Sequence, residues 1–134
     1  MAASATPSFA IVPRIGYGSV TAANTNRDGT GTIVDILTGV AAGTKINEIT
    51  LQATGDPADS VVTIFLYDGT GYRLFDEFDL GDAAAASTTA SGYRTTRTYS
   101  NLVLPSASWK LGAAITVALT SGAINVLAFG ADLT

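Results

Sequence analysis

The set of potential ligands with the most suggestive spacing is Asn24-Thr25-Asn26-Arg27-Asp28-Gly29 followed by Asp35. Oxygen donors fall at the first, third and fifth places, glycine at the sixth and a carboxylate at the twelfth, which is the spacing of an EF-hand calcium loop. The first ligand is an amide, however, and the last is an aspartate, too short for the two-oxygen grip that glutamate provides. Neither flank has helical periodicity. The segment therefore reads as a polar turn in which Asn, Asp and Gly take positive φ, and no specific calcium site is expected. A second candidate is Asp76-Glu77-Phe78-Asp79. On a strand, Glu77 and Asp79 share a face about 7 Å apart, and a glycosidase needs two such carboxylates. A solvated acidic face is the reading preferred for them.

The rest of the chemical inventory is short. The chain has no histidine and no cysteine. That removes the Ser-His-Asp triad, the Cys-His dyad, the usual general base and most zinc sites. Gly16-Tyr17-Gly18 is not a phosphate cradle, because no GK[ST] follows and no helix begins there. Lys110 has no serine partner in view. No catalytic, cofactor-binding or metal-binding residue is assigned, no cofactor is expected, and the chain is expected not to be an enzyme. Six aromatics, Tyr17, Tyr67, Tyr72, Tyr93, Tyr99 and Trp109, could form a stacking platform for sugars or a protein-binding patch. Packing in the core and at strand ends is the competing use of each.

The elements that position these side chains read as strands. Valine, isoleucine and threonine number 9, 9 and 19 among 134 residues. Such β-branched side chains suit a pleated surface better than a helix, and the 14 glycines punctuate them at short intervals. The runs are Phe9–Val20, Thr32–Leu37, Lys45–Thr54, Ser60–Tyr67, Tyr72–Leu80, Tyr93–Leu104, Trp109–Leu119 and Ala123–Leu133. Pro13 and Gly16 mark the first as an edge or bent strand. The fourth is apolar on both faces and so central. Asp68-Gly69-Thr70-Gly71 is a hairpin signal. In the fifth run Leu74, Phe78 and Leu80 point to one face. Asp76 falls on that same apolar side, which requires either a bulge or a partner. Alternation of Ile115, Val117 and Leu119 predicts one buried face. The low-complexity stretch GDAAAASTTASG, residues 81–92, reads as a mobile loop. Eight short strands without a helix predict an all-β, single-domain, jelly-roll-like β-sandwich of about eight antiparallel strands. An up-and-down barrel is the alternative. Residues 1–8 read as a short extended N-terminal arm and residues 9–134 as the sandwich domain.

Totals narrow the partners. A chain of this length buries roughly two-thirds of its unfolded surface, enough to hold a core unaided. Hydrophobic residues make up 47% and charged residues 13%, about half the usual charged share. A surface so poor in charge suits either an assembly that covers part of it or solvation by Thr, Ser and Asn. Seven basic residues are scattered without a run, and the net charge is −4. Neither nucleic acid nor an anionic membrane is an expected partner. No secretory signal or membrane-length apolar run is visible.

The stretches KINEITLQATG, VVTIFLYDGTGYRLFDEFDL, LPSASWKLGAAITVAL and INVLAFGADL follow one another in this order. Together they resemble the small jelly-roll-like proteins encoded among the head genes of tailed bacteriophages, which act as decoration, or cement, proteins outside the capsid. The likeness runs from about Gly31 to Leu133 and rests on strand patterns: a Tyr-Arg-Leu-Phe-Asp-Glu strand after a DG turn, a Leu-Pro turn, and a closing strand ending Phe-Gly-Ala-Asp-Leu. It implies a homotrimer seated on capsid lattice points at the outer surface of the virion. There it would stabilise the head by bridging subunits of the major capsid protein. Pro7 and Ser8 in the arm and Phe9 next to it are the capsid-contact candidates. The alternative is a carbohydrate- or receptor-binding β-sandwich module of a phage tail or fibre, favoured if exposed aromatics lie beside Asp or Asn. The strand reading has a direct check: far-UV circular dichroism is expected to show a β spectrum with helix far below about a third, the ordinary globular level.

Overall fold

A computed structural model describes residues 10–81 and 83–133. The strands are β1 (Ala10–Val20), β2 (Val34–Thr38), β3 (Thr44–Ala53), β4 (Val61–Tyr67), β5 (Tyr72–Asp79), β6 (Arg94–Leu104), β7 (Lys110–Ile115) and β8 (Ile124–Leu133). No helix occurs among the described residues. The expected arm, residues 1–8, and with it Pro7, Ser8 and Phe9, lies outside them.

Pairing is nested: β1 with β8, β2 with β7, β3 with β6 and β4 with β5, every ladder antiparallel. The first half of the chain thus runs back along the second, as one long hairpin would. Winding this hairpin places successive pairs in opposite sheets. The ladders β3–β8 and β4–β7 complete two sheets of order β1-β8-β3-β6 and β2-β7-β4-β5. This is jelly-roll wiring. In an up-and-down barrel each strand pairs with the next, whereas here only β4 and β5 do so.

Period-two alternation builds the core. Ile49, Leu51 and Ala53 of β3 and Ile124, Val126 and Ala128 of β8 line one sheet. Val62 and Ile64 of β4 and Leu111, Ala113 and Ile115 of β7 line the other, and all are buried. Each large aliphatic side chain removed from water in this way stabilises the fold by about 1.5–3 kcal/mol. Strand β4 lies between β7 and β5 and is buried on both faces, as its sequence predicts. Its second face, carrying Thr63 and Phe65, is covered by the β1–β2 loop. Ala23 bridges to Ile115, Arg27 pairs with Glu77, and Ile33 closes over Gly112.

The two open sides of the sandwich are sealed by different residues with one logic. On the β1–β2 side, Gly16 and Gly18 turn their bare Cα atoms toward β2. A Cβ on Gly16 would stand 2.7 Å from Leu37 Cβ and closer still to the Ile36 carbonyl oxygen. Arg14 of β1 then donates to Asp132 Oδ1 at 2.9 Å and across the gap to the Thr38 carbonyl of β2 at 3.0 Å. On the β5–β6 side, Arg97 of β6 donates to Asp76 Oδ1 at 2.7 Å and to the Glu77 carbonyl of β5 at 3.0 Å. Each side is therefore closed by an arginine from an edge strand of the first sheet. Each arginine takes a carboxylate and a backbone carbonyl, the carbonyl belonging to the edge strand of the second sheet.

Two expectations, for β7 and for Leu74, are corrected. Strand β7 stops at Ile115, because its partner β4 begins at Val61 and offers no ladder beyond. Val117 is consequently exposed and only Leu119 of the later residues packs against the core. Residues 81 and 83–92 form an irregular loop, within which Ala86 N donates to the Gly55 carbonyl and Tyr93 N to the Ala84 carbonyl. Leu74 points outward and is 39% exposed. The cause is a bulge: Ile64 pairs with Asp76 and Phe65 with Leu74, leaving Phe75 as the extra residue that reverses the phase of β5.

Two glycines give a paired test. Gly16→Ala is expected to destabilise by about 1–3 kcal/mol through forced separation of β1 from β2. Gly71→Ala, where a Cβ meets nothing within 4 Å, is expected to stay within about 0.5 kcal/mol of the parent. Urea unfolding of the two variants measures both.

Candidate interaction face

The calcium-like loop has committed its donors to folding. Asn24 is buried, its Oδ1 accepts from Asn26 N, and its Nδ2 donates to the Thr30 and Thr32 carbonyls. Asp28 Oδ1 accepts from Thr30 N and Thr30 Oγ1. Asp35 lies away on β2, where Tyr72 Oη donates to it at 2.6 Å and Lys110 Nζ at 3.3 Å. The EF-hand spacing is thus a turn with internal Asx hydrogen bonds. The acidic run is likewise divided. Glu77 pairs with Arg27, and Asp79 Oδ1 accepts from Gly81 N at 2.9 Å.

Asp76 has both the bulge and the partners that its position on the apolar side required. Tyr99 Oη donates to Asp76 Oδ2 at 2.7 Å while Arg97 holds Oδ1 and lies 4.2 Å over the Phe78 ring. Burial alone would raise the Asp76 carboxyl. Hydrogen bonds from Tyr99, Arg97 and the Glu77 amide outweigh it and hold the group below its ordinary 3.8. Burial and the bond to Asp76 push the Tyr99 hydroxyl up, so it stays a donor at neutral pH.

The six aromatics do not share one surface. Tyr93, Tyr99 and Trp109 pack against the core. Tyr67 and Tyr72 are cross-strand neighbours on the outer face of the second sheet, with ring centroids 4.7 Å apart. Tyr17 stands on the outer face of the first sheet and is 73% exposed.

Around Tyr17 lies an exposed apolar stripe that the sequence reading missed. Gly16 and Gly18 face β2, so Ile15 and Tyr17 must face solvent, and Ile15 is 60% exposed. Across the ladder Ile15 pairs with Phe129 and Tyr17 with Leu127, both half-buried. The four form an uncharged stripe along an edge strand. Lysine or another charge often guards such an edge, but Arg14, the one charge of β1, is folded onto Asp132 and Thr38. The sign was present in the sequence, since large residues alternating with glycine can only point one way. Leu127 and Phe129 were ambiguous, because β8 is apolar on both faces.

No protein-family model matches the chain, and no curated protein matches its sequence. Among solved structures it is similar to a chain of the acidic stable capsid structure of Helicobacter pylori bacteriophage KHP30. Identity there is 16% over 96% of this chain and 95% of that one, with a TM-score of 0.55. It is also similar to a chain of the cyanophage Pam1 capsid asymmetric unit, with 17% identity over 98% and 91% of the two chains and a TM-score of 0.45. The first likeness shows a shared fold that occupies nearly the whole of both chains; the second is too loose to add to it.

The Asp76 cluster is testable through pH. A carboxyl held low in the folded state contributes stability that is complete above its unfolded value and fades as pH falls through the folded one. Asp76→Asn is expected to lose about 1–3 kcal/mol at neutral pH. The gap from the parent should hold between about pH 5 and 8 and shrink below about pH 4, as read by urea unfolding across the range.

Proposed function

We propose that this chain is a structural protein of a bacteriophage virion that seats on the outer surface of the capsid as a homotrimer and stabilises it by bridging major capsid protein subunits. The observation that carries the reading is the uncharged stripe of Ile15, Tyr17, Leu127 and Phe129 on an unguarded edge strand. A small monomer gains nothing from exposing such a stripe, and contiguous exposed apolar surface marks a contact face. The full-length fold likeness to a chain from a phage capsid structure supports the setting. The jelly roll supplies a rigid body, and the scattered basic residues suit a protein partner better than nucleic acid or a membrane. Of these residues Arg14, Arg27, Arg97 and Lys110 are spent on ion pairs.

In this reading each protomer makes modest contacts, and a trimer multiplies them through effective concentration. Residues 1–8 act as an extended arm that adds to a neighbour as a strand or clamp, with Pro7 and Ser8 and the adjoining Phe9 at the contact. Ordering such an arm costs about 1–2 kcal/mol of backbone entropy per residue, so its contribution comes only on docking. No step of this role requires catalysis.

The test mixes purified protein with undecorated heads and sediments them, using the full chain, a form lacking residues 1–8, and Tyr17→Asp. The full chain is expected to pellet with heads and raise their resistance to heat, and Tyr17→Asp to remain in the supernatant. Light scattering is expected to report three chains per particle. Full-length protein left in the supernatant defeats the capsid reading. A truncated form that binds as tightly as the full chain defeats only the arm's part in it.

A further inference from the structure

We propose that the cleft between the β1–β2 loop and the β4–β5 hairpin binds a neutral saccharide, with the Tyr67–Tyr72 pair as its stacking platform and Asp28 and Arg73 as its polar clasp. The cleft has a volume of about 450 Å³ and is lined by Asp28, Thr30, Tyr67, Thr70, Tyr72 and Arg73. That volume lies within the range of small-ligand sites. Two separate stretches of sequence, 28–30 and 67–73, converge on it, and their side chains fit one ligand chemistry.

The platform is fixed before any ligand arrives. Tyr72 lies over Gly112, where its Cε1 stands 3.1 Å from the position of an absent Cβ, and its hydroxyl is tied to Asp35. Tyr67 is tilted 46° against it and has Lys110 Nζ 5.3 Å from its ring centroid. Rings held in this way lose little freedom when a sugar stacks on them. The hairpin wall is equally set, because Asp68 Oδ1 accepts from Thr70 N, Thr70 Oγ1 and Gly71 N.

The clasp has opposite polarities. The Thr30 hydroxyl and amide hold Asp28 Oδ1 and keep the carboxyl below its usual range, so Asp28 is a permanent acceptor. Arg73 lines the hairpin end of the cleft, is exposed and makes no ion pair among the described residues, so its donors are unspent. A pyranose carries hydroxyls that donate and accept in turn along one edge, and apolar C–H groups on its ring face. Those features match a carboxylate, a guanidinium and a pair of aromatic rings. Asp68 feels the charge of Arg73 and Asp35 offsets Lys110, while Asp28 adds one carboxylate, a balance that favours an uncharged ligand over an anion or a polycation. The cleft and the Tyr17 stripe lie on the outer faces of different sheets, so occupancy of one leaves the other open. A chain docked through the stripe therefore still presents the cleft.

The test is amide NMR of the ¹⁵N-labelled full chain titrated with glucose, galactose, mannose, rhamnose and N-acetylglucosamine to about 50 mM, the range of weak single-site binding. N-acetylneuraminic acid serves as the charged comparator. At least one neutral sugar is expected to shift the amides of residues 28–30 and 67–73 along a saturable curve. Arg73→Ala and Tyr67→Ala are each expected to weaken it by about tenfold. Arg73 is exposed, so its variant is expected to keep the parent melting temperature and to separate loss of binding from loss of fold. The proposal is overturned if no neutral sugar gives saturable shifts, if the shifts persist in both variants, or if only the charged sugar binds. Head sedimentation is scored separately, so failure here leaves the capsid reading where it stood.

Discussion

Everything in this molecule hangs on pressing one apolar face of each sheet against the other. The chain has no cysteine, so no covalent staple shares the task, and the interior must be closed on all sides by side chains alone. The nested ladders bring Ile49, Leu51, Val126 and Ile124 from one sheet opposite Val62, Ile64, Leu111 and Ile115 from the other. All of these are at or near zero exposure. No buried side-chain polar atom lacks a hydrogen-bond partner among the described residues. Threonine and asparagine that enter the interior are each answered, as Thr44 is by Asp132 and Asn24 by two loop carbonyls.

A two-sheet sandwich has two open sides, and these decide where the chain's few charges go. Arg14 and Arg97 close them, Arg14 joining Asp132 of β8 to a carbonyl of β2 and Arg97 taking a carboxylate and a carbonyl of β5. Paired arginines suit this use because the guanidinium fork satisfies two acceptors in one plane. Where backbone must come closest, between β1 and β2, glycine replaces a side chain altogether. On the opposite side Asp76, in phase with buried Phe78, faces inward to Tyr99 and Arg97, while the bulge at Phe75 turns Leu74 out. Structural demands thus consume four of the seven basic residues in ion pairs.

This economy of charge shapes the outside. With Arg14 folded inward, β1 presents Ile15 and Tyr17 beside Leu127 and Phe129 without an electrostatic guard, a surface suited to contact with protein. On the other sheet the β1–β2 loop covers Phe65 and forms one wall of a cleft, with Tyr67, Tyr72 and Arg73 opposite. The same glycine-rich wiring therefore leaves an apolar face on one side and an aromatic, polar cleft on the other.

The sequence by itself determined the strands, the hairpin turn and the absence of histidine and cysteine chemistry, because these depend on residue type and period-two spacing. It also posed the problem of Asp76, since a carboxylate on an apolar face needs a bulge or a partner. Tertiary structure decided that both exist, because Tyr99 and Arg97 reach Asp76 only when β5 and β6, in different sheets, meet at an edge. It ended β7 at Ile115, where the ladder partner runs out, although the alternation continues to Leu119. It also separated Asp35 from Asn24 and joined Tyr67 and Tyr72 to Asp28 and Arg73. Spacing along the chain measures local geometry, whereas these groupings follow from which strands pair, and pairing is set by burying both inner faces at once.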